Sequence, residues 1–263
     1  MKRALLLPLL LFAACGTADL RNDAVRSRSA QTEDGARDIF NKSLRARNLD
    51  KVLVDSVRVA AEGHDLWPSF IVRQFTPVTE KTQKFAVEMA LRADDIRYTF
   101  KNGKRTDDVI GVSGDQGFEI EKGQREENNS SGQRIYLTSL RDYFGWPITL
   151  AQMPVMLKEA DQKIKGRLYS VLFAASKANL DDENCDHYRI YIDQQTSEIR
   201  YIDFTMRAFM KSYKGTLRYE DYKSVSGRSM PHRIVVTESV NEDKDFDHEF
   251  VFTSIKFNNQ VVN

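Results

Sequence analysis

Apolar and polar positions alternate along this chain in two registers. Behind Thr32, which stands where an N-cap belongs, and the acidic pair Glu33 and Asp34, the apolar residues Ala36, Ile39, Phe40 and Leu44 recur at helical spacing. The spacing predicts an amphipathic helix over about residues 33–48, with Arg37, Lys42, Arg45 and Arg47 on its solvated face. From Val52 the period becomes two. Val52, Val54, Val57 and Val59 open a β-branched run that Gly63 to Pro68 interrupts. Phe85, Val87, Met89 and Leu91, then Ile96, Tyr98 and Phe100, alternate with polar or small residues. Asn102-Gly103 is the favoured pair of a type I′ hairpin, and the Gly114 to Gly117 turn leads into Phe118 to Lys122. This region reads as an antiparallel meander of half-buried strands.

Residues 123–133 form the most polar stretch and are expected to be an exposed loop. Beyond them lies an apolar segment from Ile135 to Leu157, broken at Gly145-Trp146-Pro147 and at Pro154. It is expected to make short, broken helices, each proline sitting in a first turn. A second meander follows in six runs: Leu168 to Ala174, Tyr188 to Asp193, Ile199 to Met206, Thr216 to Tyr222, Arg233 to Val240 and Glu249 to Phe257. Strand starts so closely spaced leave no room for alternating βα units. With no linker-like stretch after the first helix, residues 32–263 are expected to form one mainly β (α+β) domain.

The N-terminus departs from both patterns. Met1-Lys2-Arg3 precedes an apolar run from Ala4 to Ala14, too short to span a bilayer as a helix, followed by Cys15 and Gly16. Residues 1–14 are therefore expected to be a lipoprotein signal peptide. Phe12-Ala13-Ala14-Cys15 resembles a bacterial lipobox, cut before Cys15, which then carries lipid such as palmitate. The alternative is an ordinary cleavage site followed by an incidental cysteine. Residues 15–31 are polar and are expected to form a flexible tether from the lipidated Cys15.

Composition narrows the function classes. The chain has 263 residues, with 39 basic against 38 acidic, so it lacks the electrostatic footprint of a nucleic-acid binder. Lys2 and Arg3 lie in the signal, so the slight basic excess does not belong to the mature chain. Two cysteines, one of them assigned to lipid, leave Cys185 without an intramolecular disulfide partner.

Chemistry is sparse. Asp181-Asp182-Glu183-Asn184-Cys185-Asp186-His187 gathers potential metal ligands, but their spacing matches no tetrahedral pattern and reads first as a solvated turn. Cys185 lacks a recognisable orienting group for nucleophilic catalysis. His64, His232 and His248 are scattered, and Glu119 and Glu121 read as the polar outer face of a strand. No enzyme activity, metal or cofactor is expected. What remains is apolar: a β layer and a methionine-rich helical segment that either fills itself or stays partly open for an acyl chain, with Met89, Met153 and Met156 able to adapt to one.

The order of these elements resembles that of the LolA/LolB-like superfamily of periplasmic lipoprotein carriers. Two phrases carry the likeness: Tyr191-Ile192-Asp193-x-x-Thr196-x-x-Ile199, and Tyr222-Lys223-x-Val225-x-Gly227-x-x-x-Pro231-x-x-Ile234. The resemblance implies a single unclosed antiparallel half-barrel with an N-terminal helix and inserted lid helices. It also implies an envelope lipoprotein, anchored to the periplasmic face of the outer membrane, that binds acyl chains or lipoproteins without covalent chemistry. The expected cavity residues are Phe85, Met89, Phe144, Trp146, Leu150, Met153 and Met156. The other reading left open is a membrane-anchored interaction or structural module with a filled core and an envelope protein partner.

Overall fold

A computed structural model describes residues 17–26, 33–53, 57–69, 73–74, 76–207, 211–242 and 246–259. The signal segment and Cys15 lie outside the described residues. Two short helical segments begin it, α1 (Asp23–Arg26) and α2 (Glu33–Ala46). The strands of the first half are β1 (Val57–Leu66), β2 (Thr82–Ala90), β3 (Asp95–Phe100), β4 (Val109–Ser113), β5 (Gln116–Glu121) and β6 (Gln124–Glu127). A long helix, α3 (Ser131–Thr149), separates them from β7 (Val155–Lys158), β8 (Gln162–Ile164), β9 (Arg167–Ala175), β10 (His187–Asp193), β11 (Ile199–Thr205), β12 (Lys214–Val225), β13 (Arg228–Thr237) and β14 (His248–Asn259).

All fourteen strands join one antiparallel sheet in the order β6-β5-β4-β3-β2-β1-β14-β13-β12-β11-β10-β9-β7, with β8 on β9. Both halves are simple meanders, and the β1–β14 pairing, from Val57↔Asn259 to Leu66↔Glu249, joins them in the middle. The ends, β6 and β7, do not meet, so the sheet stays unclosed. Its inner face curls around α3. Tyr136 stacks edge-on to Tyr98 of β3, Phe144 to Phe252 of β14, and Trp146 to Tyr188 of β10. One helix reaching strands so far apart in the sheet order requires a curved sheet.

Five local expectations are corrected. The glycine at 63 does not end β1. The strand runs on through a register shift between Glu62 and Gly63, where the backbones approach so closely that a Cβ would stand 2.1 Å from the Val251 carbonyl oxygen. Asn102-Gly103 does not form a two-residue hairpin, because the Asn102 carboxamide bonds the Lys84 amide (2.7 Å) and the Thr82 carbonyl (3.0 Å) and opens a longer loop. Two-residue turns with both φ positive instead form at Lys122-Gly123, Lys165-Gly166 and Ser226-Gly227. The polar stretch 123–133 is not all loop, since it supplies the exposed edge strand β6 and the Ser130 cap and first turn of α3.

The fourth correction is α3, one continuous helix where the prolines predict broken pieces. Pro147 lies inside its last turns and cannot donate to the Tyr143 carbonyl one turn back. The Tyr219 hydroxyl of β12 donates to that carbonyl instead, at 2.7 Å, so the helix continues without a buried orphan. Arg47 is also placed differently from the solvated face predicted for it. Its side chain is buried at the end of α2, where it donates to the carbonyls of Ser43 and Pro147.

Candidate apolar pocket

The core beneath α3 is one large buried apolar cluster. Six of the seven expected cavity residues, Phe85, Met89, Phe144, Trp146, Leu150 and Met156, are buried in one continuous cluster, and Met153 packs half-buried against it. Phe85 stacks on Tyr98 with ring centroids 5.2 Å apart, and Trp146 meets Phe204 at 5.1 Å. The structure brings all seven together, and none of them is in the lining of the pocket described next.

The open space lies next to them, at one end of the half-barrel. A pocket of about 500 Å³ runs between the N-terminal half of α3 and three connections: β1 to β2, β11 to β12, and β13 to β14. The helix contributes Gly132, Ile135, Tyr136, Ser139 and Tyr143, residues three or four apart and so on one face. Trp67 and Thr76 come from the first connection, Met206 and Tyr213 from the second, and Asp247 from the third, with His248 and Phe250 at the start of β14. The lining is mainly aromatic and aliphatic, as in sites that bind small apolar molecules.

Its floor is built on a buried carboxylate. Asp65, fully buried on β1, accepts a hydrogen bond from the indole of Trp67 at 2.6 Å and another from the hydroxyl of Tyr136 at 2.8 Å. One carboxylate oxygen thus orients two lining residues from different elements. Burial pushes the Asp65 acid up to about 7, although both hydrogen bonds favour the ion. His248 stacks on Trp67 with centroids 4.0 Å apart and planes at 10°, and burial drives its imidazole down to about 3. At neutral pH it is therefore an uncharged aromatic wall.

Sequence reasoning missed Trp67, Tyr136, Tyr143, Tyr213 and His248 as lining residues. The signal within reach was Trp67 two residues after Asp65.

The other residues singled out for chemistry are dispersed. Asp181 pairs with Arg21 and Asp182 with Lys177, while Asp186 accepts from the Arg207 amide at 2.6 Å. Cys185 is buried, and no group of three metal-ligating side chains is found among the described residues. Glu119 bonds Arg105 and Asn128, and His232 is buried beside the Met230 carbonyl.

Residues 17–26 do not behave as the tether predicted for them. Ala18 and Val25 are buried, and Leu20 and Val25 pack with Phe173, Leu180 and Cys185 on the outer face of β9 and its neighbours. The Ala18 amide donates to the Lys211 carbonyl (2.7 Å) and the Leu20 amide to Nδ1 of His187 (3.4 Å). Asp19, partly buried yet held down at about 2 by hydrogen bonds from Arg21, lies 3.2 Å from His187. Small apolar side chains among polar ones give no periodicity to read, yet each fits a place on the sheet.

No family model matches the sequence, and no curated protein matches it. Among solved structures, a LolA superfamily protein from Nitrosomonas europaea aligns over 84% of this chain and 92% of its own, at 14% identity and a TM-score of 0.50. A putative outer membrane lipoprotein-sorting protein domain from Vibrio parahaemolyticus aligns over 88% and 95%, at 10% identity and a TM-score of 0.54. A DUF1329 family protein from Desulfovibrio piger aligns over 84% and 92%, at 9% identity and 0.50. At such identities the likeness is one of fold: the unclosed antiparallel half-barrel of this chain is similar to the folds of that LolA superfamily protein and that putative lipoprotein-sorting domain.

Proposed function

We propose that the protein is a cell-envelope lipoprotein that takes up an acyl chain, of a free lipid or of a lipidated protein, in the pocket beside α3. The observation that carries this reading is the pocket itself: about 500 Å³ of mainly apolar space, with two of its lining residues, Trp67 and Tyr136, oriented by hydrogen bonds to Asp65. Each methylene buried there contributes about 0.8 kcal/mol, so a long chain binds usefully without polar recognition. Phe85 and Trp146 back the walls, through Phe250 (6.3 Å) and Tyr143 (5.3 Å) respectively. The other expected cavity residues, Met89, Phe144, Leu150, Met153 and Met156, would meet a chain that reaches deeper than this pocket. The reading involves no covalent step and no cofactor.

The lipobox-like Phe12-Ala13-Ala14-Cys15 supports placement in the envelope, with the anchor at Cys15, and the outer membrane is the membrane we propose. The fold is shared with a putative lipoprotein-sorting domain, which favours a lipid or lipoprotein cargo over a protein partner. Leu168 is the one large hydrophobic side chain recorded as exposed among the described residues, so they offer no broad apolar face for a partner.

Protein lacking residues 1–15 is expected to co-purify with lipid detectable by mass spectrometry and to bind a fluorescent fatty acid saturably. Ser139→Phe, which adds a ring to the pocket, should weaken that binding by about tenfold or more, the equivalent of two unburied methylenes. Lipid-free protein with no saturable binding would remove this reading in favour of a filled interaction module.

A further inference from the structure

Residues 17–26 start beside the pocket. Ala18 is bonded to the carbonyl of Lys211, in the same β11 to β12 connection that gives Met206 and Tyr213 to the pocket. The Met206 amide donates to the Tyr213 carbonyl at 3.3 Å, which fixes both sides of that connection to each other. From there the segment runs away from the pocket along the outer face of the sheet. Arg189 donates to the Leu20 carbonyl, Arg21 pairs with Asp19 and Asp181, and Val25 is buried in one apolar cluster with Phe173, Leu180 and Cys185. The segment is a strap, tied down by backbone hydrogen bonds, ion pairs and apolar burial at successive points.

Cys15 is three residues before Ala18, and three residues span at most about 11 Å. Two more from Lys211 to Tyr213 span about 7 Å. With the Ala18–Lys211 contact between them, the chain connectivity keeps the anchor attachment within about 25 Å of a residue in the pocket lining. A lipid on Cys15 is therefore held at the pocket end of the half-barrel, close to the β11 to β12 connection.

The geometry points to the strap as an orienting device: it seats the pocket end of the half-barrel on the bilayer surface that holds the Cys15 lipid, so that an acyl chain passes between leaflet and pocket without crossing bulk water. The inference rests on the proposed lipidation of Cys15 and on the acyl-binding reading of the pocket. The partner surface is the lipid bilayer, and the end that faces away from it is the one carrying the 194–198 and 226–227 turns, opposite the pocket along the strands. A free tether would impose no orientation, since a flexible chain of its length lets either end reach the surface.

The test uses the full lipidated chain on phosphatidylethanolamine–phosphatidylglycerol vesicles, with a fluorophore on Lys211→Cys or on Gln195→Cys. Lys211 lies in the connection bonded by the strap, and Gln195 is exposed at the far end. Lipids spin-labelled in the headgroup are expected to quench the label at position 211 at least about threefold more than the label at 195. A ten-residue Gly/Ser spacer between Gly16 and Thr17 should abolish that difference. Cys185, buried in the same apolar cluster as Val25, reports the strap separately. It should stay unreactive to maleimide in the parent and spacer proteins and become reactive in Val25→Asp.

Equal quenching at the two ends of the parent, or a difference that survives the spacer, would overturn the proposal while leaving acyl binding by the soluble domain intact. Mass spectrometry that finds Cys15 unmodified overturns both this proposal and the anchored reading. Loss of acyl binding with retained asymmetry overturns the pocket reading and keeps the orientation.

Discussion

Asp65 carries the most consequential environment of any single residue in the pocket. Its acid is raised to about 7 by burial, so the folded state holds a proton that the unfolded chain has released above about pH 4. The sign follows from linkage: Asp65 contributes its full stability below about pH 4 and loses it as pH rises to about 7. His248 acts the other way, because burial lowers its imidazole to about 3 and its contribution falls away below about pH 6.5. Asp65→Asn keeps the shape and an acceptor for Trp67 and Tyr136 but removes the titration. The stability difference between parent and Asp65→Asn, from urea unfolding, should shift against the parent by on the order of 2–4 kcal/mol between pH 4 and 8. A difference that stays flat over that range would place the Asp65 acid at its ordinary value. The inward position of Asp65 was not legible in the sequence, because Gly63 to Pro68 read as an interruption of the strand that in fact runs on to Leu66, and its partner Tyr136 lies 71 residues away.

At the scale of elements, the strands were readable and the helix was not, for one physical reason. Alternation is local, so Phe85 to Leu91 and Ile96 to Phe100 announce their inner faces without knowing their neighbours. Whether α3 survives Pro147 depends on a donor from another element, and the Tyr219 hydroxyl is 76 positions away. The same dependence gives a measurable coupling. Tyr219→Phe should cost about 1–3 kcal/mol in the parent, the penalty of an unpaired buried carbonyl. In a Pro147→Ala background the restored amide at position 147 can bond Tyr143, so the cost of Tyr219→Phe should shrink by half or more. Equal costs in the two backgrounds, measured by chemical unfolding, would show that the hydroxyl does not substitute for the missing helix bond.

Across the whole molecule, the unclosed sheet, the helix it curls around and the strap combine into one arrangement: a large apolar core, a pocket at one end, and residues 17–26 tied beside that end. The half-barrel class and the N-terminal helix were legible from the order of elements. The pocket was not, because Trp67, Tyr213 and His248 come together only through three separate connections. The methionine-rich segment pointed to the layer beside the pocket, where Met89 and Met156 are buried in the main apolar cluster and Met153 packs against it. The strap was hidden by its polar composition, since Ala18, Leu20 and Val25 have no shared period to betray the surface they cover.

The account stands most directly on occupancy of the pocket by an acyl chain, and Trp67 is a built-in reporter of it. Trp67 lines the pocket and Trp146 is buried in the core behind it, so Trp146→Phe leaves a protein with a single indole at the site. Titration of that protein, lacking residues 1–15, with a fatty acid brominated along its chain should quench Trp67 fluorescence saturably. Ser139→Phe should shift the midpoint to higher concentration, and unbrominated fatty acid should compete. Quenching that rises linearly without saturation, or is unchanged by Ser139→Phe and by the competitor, would contradict the assignment of this pocket as the acyl-chain site.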